Sequence, residues 1–212
     1  MNKSIKTNEQ TKKFINRGLS QGLYADYKRF TSVDGQGFRC SLYVSGCLFA
    51  CKNCYNKSIQ NFGVGKPYTK DLEDLIMQDM SKSYVQGLTL LGGEPMLNTE
   101  VCLSVTNRLR KEYGQTKDIW AWTGYTWEQL LESIECNTVG SVNQARLLNN
   151  LDVLVDGQYI DEERDPSGTI KFRGSWNQRI IDVQASLKLN KIVERTEFYQ
   201  ARKRRRRPQG AV

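Results

Sequence analysis

Four short runs of apolar residues punctuate the chain: Ser41–Ser45 (SLYVS), Gly87–Leu91 (GLTLL), Asp118–Trp122 (DIWAW) and Leu151–Val155 (LDVLV). Consecutive rather than alternating apolar positions predict strands covered on both faces, the habit of a parallel sheet. The stretches between them carry helical spacing. Asp71–Met80 sets Leu72, Leu75, Ile76 and Met80 on one face, Thr99–Tyr113 repeats Val101, Leu103, Val105 and Leu109 less cleanly, and Trp127–Ile134 follows a Thr126 cap. Strands alternating with helices predict an α/β fold with mostly parallel strands. A complete eight-unit barrel takes about 250 residues, so a body spanning 21–184 suggests an incomplete (β/α) barrel. No internal repeat is evident.

Each predicted strand runs into polar sequence bearing glycine: Gly46 and Cys47, then Gly92, Gly93, Glu94 and Pro95, then Thr123, Gly124 and Tyr125, then Asp156 and Gly157. Ligands of parallel α/β sheets bind at the carboxyl ends of the strands, so these four loops are expected to converge on one site.

Composition narrows the chemistry. The 212 residues include six cysteines and no histidine, which excludes an imidazole base, a Ser-His or Cys-His nucleophile pair and a His-ligated zinc. The net charge of +8 sits at the ends: residues 1–20 carry five bases and one acid, the run 202–207 (RKRRRR) carries six bases, and 21–201 is left at −2. We therefore expect a flexible basic segment over 1–20, one core domain over 21–184, and an extension over 185–212 that ends in the arginine tail. Leu187, Ile192 and Val193 suggest a helix within 185–200. The body offers nucleic acid no basic face, so such binding would rest on the tail alone and is not expected. No run reaches the roughly 18–20 apolar residues of a membrane span, and the first residues lack a secretory apolar stretch. The expectation is a cytoplasmic protein, whose cysteines serve as metal ligands, reactive groups or packing residues rather than disulfides.

Three of those cysteines share one loop, Cys47-Leu-Phe-Ala-Cys51-Lys-Asn-Cys54. A zinc ribbon would need a second paired CxxC. Three close thiolates instead invite an iron-sulfur cluster, and three ligands on a four-iron cluster leave one iron open to a ligand that is not protein. Leu48, Phe49 and Ala50 are apolar enough to shield such a cluster, while Lys52 and Asn53 could hydrogen-bond sulfur or substrate. The competing arrangement takes Cys40 as a fourth ligand and closes the site, although the strand between Cys40 and Cys47 should carry it away. Cys102 and Cys136 fall in helical patterns and read as buried packing residues.

The spacing Cys47-x3-Cys51-x2-Cys54, followed by Gly92-Gly93-Glu94-Pro95 at the end of the next strand, resembles the radical S-adenosylmethionine superfamily. Further segments resemble its family of anaerobic ribonucleoside-triphosphate reductase activators: Asp34-Gly35-Gln36-Gly37-Phe38-Arg39-Cys40, Cys54-Tyr55-Asn56-Lys57-Ser58, Trp120-Ala121-Trp122-Thr123-Gly124-Tyr125, Leu154-Val155-Asp156-Gly157 and Phe172-Arg173-Gly174-Ser175-Trp176-Asn177-Gln178-Arg179. This resemblance runs from about 33 to 184. It implies a barrel of radical S-adenosylmethionine type and one [4Fe-4S] cluster held by Cys47, Cys51 and Cys54. S-adenosyl-L-methionine is the implied cosubstrate, bordered by Asn53, Cys54, Tyr55, Gly92, Gly93 and Glu94, with Thr123 and Asp156 as weaker candidates.

The same resemblance implies reductive cleavage to methionine and a 5′-deoxyadenosyl radical, which takes hydrogen from a glycine of the reductase. No catalytic side chain is needed beyond cluster and cosubstrate. Implied partners are the large reductase subunit, a flavodoxin or ferredoxin as electron donor, and a second copy of the chain within a heterotetramer. Asn53 departs from the aromatic residue common in the superfamily before the third cysteine, and Tyr55 is its candidate substitute for packing adenine. Arg173, Asn177 and Arg179 would orient the partner's glycine loop or a ligand carboxylate, or else satisfy local turns. Trp120 and Trp122 read as core. The alternatives are an activase of another glycyl radical enzyme, of formate-lyase or dehydratase type, and a non-catalytic cysteine-metal module binding nucleic acid through RKRRRR.

Overall fold

The computed structural model describes residues 20–136, 138–168 and 170–199. The expected basic segment, apart from Ser20, and the RKRRRR tail lie outside the described residues. Seven strands form one sheet: β1 (Leu23–Thr31), β2 (Phe38–Val44), β3 (Lys66–Pro67), β4 (Val85–Gly92), β5 (Asp118–Trp122), β6 (Val153–Asp156) and β7 (Arg179–Asp182). Their order is β3-β1-β2-β4-β5-β6-β7. The four strands expected from sequence are the parallel centre, β2-β4-β5-β6. Both flanks run antiparallel, β1 against β2 and β3, and β7 against β6. The turn between β1 and β2 is too short for a crossover, and neighbours joined that way must reverse direction.

Five helices accompany the sheet: α1 (Lys70–Met80), α2 (Thr99–Tyr113), α3 (Trp127–Glu135), α4 (Val139–Asn150) and α5 (Val183–Leu189). Side chains alternate across each strand, and the two sets meet different surroundings. Cys40, Leu42, Val44, Leu88, Leu90, Ile119, Ala121 and Leu154 join the core with α1–α5. On the opposite face, Trp120, Val153, Val155 and Ile180 form a smaller cluster with Phe198, bordered by Trp122, Phe172 and Tyr199.

That second face is polar at β2 and β4. Arg39 is fully buried there and donates to Thr89 Oγ1 at 2.8 Å, the Leu88 carbonyl at 2.9 Å and Asp118 Oδ1 at 2.6 Å, with Trp120 5.2 Å from its guanidinium carbon. Ser41 and Tyr43 donate their hydroxyls to Asp34 Oδ2 at 2.8 and 3.2 Å. The segment from Asp34 to Arg39 is thus bound to β2, β4 and β5 by side-chain hydrogen bonds rather than by apolar packing.

Two expectations change. Cys136 is exposed, because it is the C-cap residue where α3 ends instead of a residue on its packed face. The helix expected within 185–200 ends at Leu189, with Asn190 left-handed beyond it. Residues 193–195 then lie along β7, Asp182 N–H donating to the Val193 carbonyl and Arg195 N–H to that of Ile180. Ile192 and Val193 therefore belong to a sheet-edge segment. No helix among the described residues is long and apolar enough to cross a membrane.

Candidate functional site

The loop carrying Cys47, Cys51 and Cys54 leaves β2 through Gly46 and is closed at its base by two backbone hydrogen bonds. Gly46 N–H donates to the Ile59 carbonyl and Cys47 N–H to that of Gln60, both at 2.8 Å. The next strand end is bound to the same point. Gly93 N–H donates to the Val44 carbonyl and Glu94 N–H to that of Gly46, again at 2.8 Å, and Asn98 Nδ2 reaches the Gly46 carbonyl at 3.4 Å. Glycine is required on both sides of this junction. Gly46 has φ +90° and a Cβ there would fall 2.1 Å from the Phe62 ring, while a Cβ on Gly93 would lie 2.2 Å from the Gly46 carbonyl oxygen. Gly93, expected to border a ligand, is needed first for the close approach of the chain to itself.

The loops meet around a cavity of about 160 Å³ on the second face of the sheet. All three loop cysteines line it, with Gly92, Gly93 and Glu94 from the end of β4 and Thr123 and Gly124 from the end of β5. Among the described residues no three His, Cys, Asp or Glu side chains converge closely enough for a single metal ion. Three thiols lining one cavity are the ligand type an iron-sulfur cluster takes. Burial pushes the Cys47 thiol up to about 12, helped by Glu94 and the two neighbouring thiols, and burial likewise raises Cys51. Such thiols favour a partner that brings positive charge, as iron does.

Glu94 is the other electrostatic feature. It is 1% exposed, and its carboxylate accepts Met96 N–H at 3.0 Å, the Thr123 hydroxyl at 2.7 Å and Gly124 N–H at 2.8 Å. Burial raises it to about 7 against the pull of those three donors. The three bonds leave Oε2 with one lone pair uncommitted. Thr123 also accepts Tyr125 N–H, so its hydroxyl fixes Glu94 and the β5 turn together. Phe49 shields this corner, edge-on to Tyr125 with centroids 4.8 Å apart.

A second chamber of about 500 Å³ adjoins the first, sharing Cys54, Asn56, Leu91, Trp122, Tyr159 and Gln178 with it. Asn53 and Tyr55 line it from the cysteine loop, and Tyr55 stands on its rim, 93% exposed. Of the tryptophans read as core, Trp120 is buried, but Trp122 is only half-buried and faces both cavities while stacking on Trp120. Arg173 lines the larger chamber, donates to the Gln178 carbonyl and lies 4.2 Å from the Tyr199 ring centroid. Asn177 and Arg179 do not line it. Asn177 bonds the Gln158 carbonyl, and Arg179 is held by Asp156 and Glu128.

Asp156 is placed outside both cavities: its carboxylate accepts Trp127 N–H at the start of α3 and the Arg179 guanidinium. Cys40 and Cys102 are fully buried in the helix-side core, away from the loop cysteines. Tyr159 lines both cavities and gave no sequence signal, since it lies in a connection without periodicity.

A family model described as a 4Fe-4S single cluster domain matches residues 33–181. The chain is 41% identical over 161 residues to an anaerobic ribonucleoside-triphosphate reductase-activating protein of Vibrio cholerae, covering 74% of this chain and 96% of that protein. A protein of the same name from Escherichia coli K12 is 38% identical over 159 residues, covering 73% and 95%. That of Enterobacteria phage T4 is 37% identical over 150 residues, covering 70% and 86%.

Proposed function

Since the chain belongs to the family of anaerobic ribonucleoside-triphosphate reductase-activating proteins and carries its 4Fe-4S single cluster domain, we propose that it installs the glycyl radical of such a reductase. The observation that carries this reading is the single cavity lined by Cys47, Cys51, Cys54, Gly93, Glu94 and Thr123 at the carboxyl ends of parallel strands. The barrel of radical S-adenosylmethionine type is part of the proposal, supported by the parallel centre and by a helix-free face that holds the site.

Cys47, Cys51 and Cys54 would hold the [4Fe-4S] cluster. With S-adenosyl-L-methionine it supplies one-electron cleavage of the sulfonium to methionine and a 5′-deoxyadenosyl radical, which takes hydrogen from a backbone glycine of the reductase. The polypeptide's contribution is binding, position and dryness. The uncommitted lone pair on Glu94 offers a charge-assisted acceptor to the methionine ammonium, and Thr123 and Gly124 hold that carboxylate in place. Asn56 donates to the Gly92 carbonyl at 3.2 Å, keeping the end of β4 against the cysteine loop. Phe49, Leu91 and Trp122 supply apolar wall that keeps water from the reacting atoms. The larger chamber, open to solvent beside Cys54, is the path for the reductase's glycine segment. Asp156 is not carried into this assignment.

Activases with extra clusters need further free cysteines. Cys40 and Cys102 are buried in the core and Cys136 caps α3, which favours the reductase over another glycyl radical enzyme. Electron supply by a flavodoxin or ferredoxin, and a homodimer meeting a dimeric reductase, complete the proposal. The test is anaerobic reconstitution with iron and sulfide, then reduction with S-adenosyl-L-methionine. Release of 5′-deoxyadenosine, and a glycyl doublet in paramagnetic resonance on adding the reductase, are expected. A reconstituted cluster that cleaves no S-adenosyl-L-methionine overturns the reading.

A further inference from the structure

Lys52 and Asn53, the loop residues expected to face sulfur or substrate, make their side-chain bonds to a neighbouring segment, while Asn53 also lines the larger chamber. Asn53 sits at φ +55°, a left-handed conformation that asparagine adopts more readily than most residues. Its Nδ2 donates to Asp161 Oδ2 at 2.8 Å, and the Tyr159 hydroxyl donates to Asp161 Oδ1 at 2.9 Å, so both oxygens of one carboxylate are engaged. Lys52 Nζ meets Glu162 at 2.7 Å. Gln158 Nε2 donates to the Phe49 carbonyl at 3.3 Å. The three partners Gln158, Asp161 and Glu162 come from one segment, 157–163, which leaves β6 and has no regular structure beyond the 3-10 turn Asp161–Glu163. The segment is itself anchored from behind. Asn177 Nδ2 donates to the Gln158 carbonyl at 2.9 Å, Gln178 Nε2 to that of Gly157 at 2.8 Å, and Ile160 N–H to Ser175 Oγ at 3.2 Å.

We propose that residues 157–163 form a clamp that holds the cysteine loop in its cluster-binding shape, with the Asn53–Asp161 pair as its latch and the Gln158–Phe49 hydrogen bond as a second tie. The inference rests on the proposed cluster. It gives positioning roles to Asn53, Gln158, Tyr159 and Asp161. The base of the loop is pinned at Gly46 and Cys47, yet Cys51 and Cys54 lie on its far side. The clamp supplies the second fixed point.

The experiment uses the full chain reconstituted anaerobically, with a readout besides activity: the rate at which a ferrous chelator strips the cluster. Asp161→Ala should lose iron at least about threefold faster than wild type, the loss of one modest hydrogen bond. Asn53→Asp alone should do the same through carboxylate repulsion. The exchange of Asn53→Asp with Asp161→Asn rebuilds the pair and should restore the wild-type rate, which a merely damaged loop would not. Single variants that strip less than about threefold faster, or an exchange variant no slower than its parents, overturn the inference. A wild-type chain that binds no cluster through Cys51 sinks the proposed function instead, which the wild-type and Cys51→Ala controls reveal.

Discussion

Replacing Glu94 by glutamine isolates the least ordinary charge in the protein. An acid held at about 7 in the folded chain, against 4.5 in the open chain, binds its proton more tightly when folded. Its contribution to stability is therefore fully present below about pH 4.5 and is lost as pH rises through 7. The shift of roughly 2.5 units corresponds to about 3 kcal/mol at most, taking about 1.4 kcal/mol per unit. Glutamine keeps a carbonyl oxygen for Met96 N–H and the Thr123 hydroxyl, but turns an NH2 toward Gly124 N–H. That mismatch costs about 1–3 kcal/mol and does not vary with pH. Urea unfolding of the metal-free chain should then show wild-type stability falling between pH 5 and 8, relative to Glu94→Gln, by up to about 3 kcal/mol. Other titrating groups cancel in the difference. If the two curves run parallel across that window, Glu94 is ionised throughout and the picture of an unneutralised buried carboxylate is wrong.

Further outcomes follow from the same geometry. Binding of S-adenosyl-L-methionine should release a proton near pH 7, because an ammonium beside Glu94 lowers its pKa; calorimetry in buffers of different ionisation enthalpy should find one proton or a fraction of one, and a buffer-independent heat would exclude the contact. Asp118→Ala strands the buried Arg39 guanidinium and should destabilise by about 3–5 kcal/mol in urea. Gly93→Ala drives a methyl into the Gly46 carbonyl and should abolish cluster uptake, whereas Gly63→Ala, whose nearest neighbour would stand 3.4 Å away, should bind iron normally. Native alkylation should label Cys136 quickly and leave Cys40 and Cys102 untouched until unfolding, as read by mass spectrometry.

The parallel centre of the sheet was legible because its strands are consecutive apolar runs. Strand β1 was not, since LYADYKRFT is half polar and lies near the sheet edge, exposing much of its length. Helix α4 escaped for a related reason: it buries Ser141 and Gln144 beside Leu147 and Leu148, so its packed face carries no apolar stripe. Its Gln144 side chain instead donates to the Met96 carbonyl. In the site, motif spacing pointed to the cysteines and to Glu94. Asp156 shows the limit of reading a strand end by residue type, because an aspartate that caps a helix and neutralises an arginine looks identical in sequence to one that awaits a ligand. Tyr159 and Asp161 were invisible because they act across a distance of more than a hundred residues, from a connection with no periodic pattern.

Gly46 has a consequence for anyone who would move this site to another scaffold. Its amide, carbonyl and bare α-carbon are each engaged, respectively by Ile59, by Glu94 and by the Phe62 ring. Residues 44–62 and 92–98 are in effect a single cassette with one hinge pin. Transplanting either half alone would deliver ligands without the seat that registers them, and laboratory evolution of one half should stall until the other changes with it.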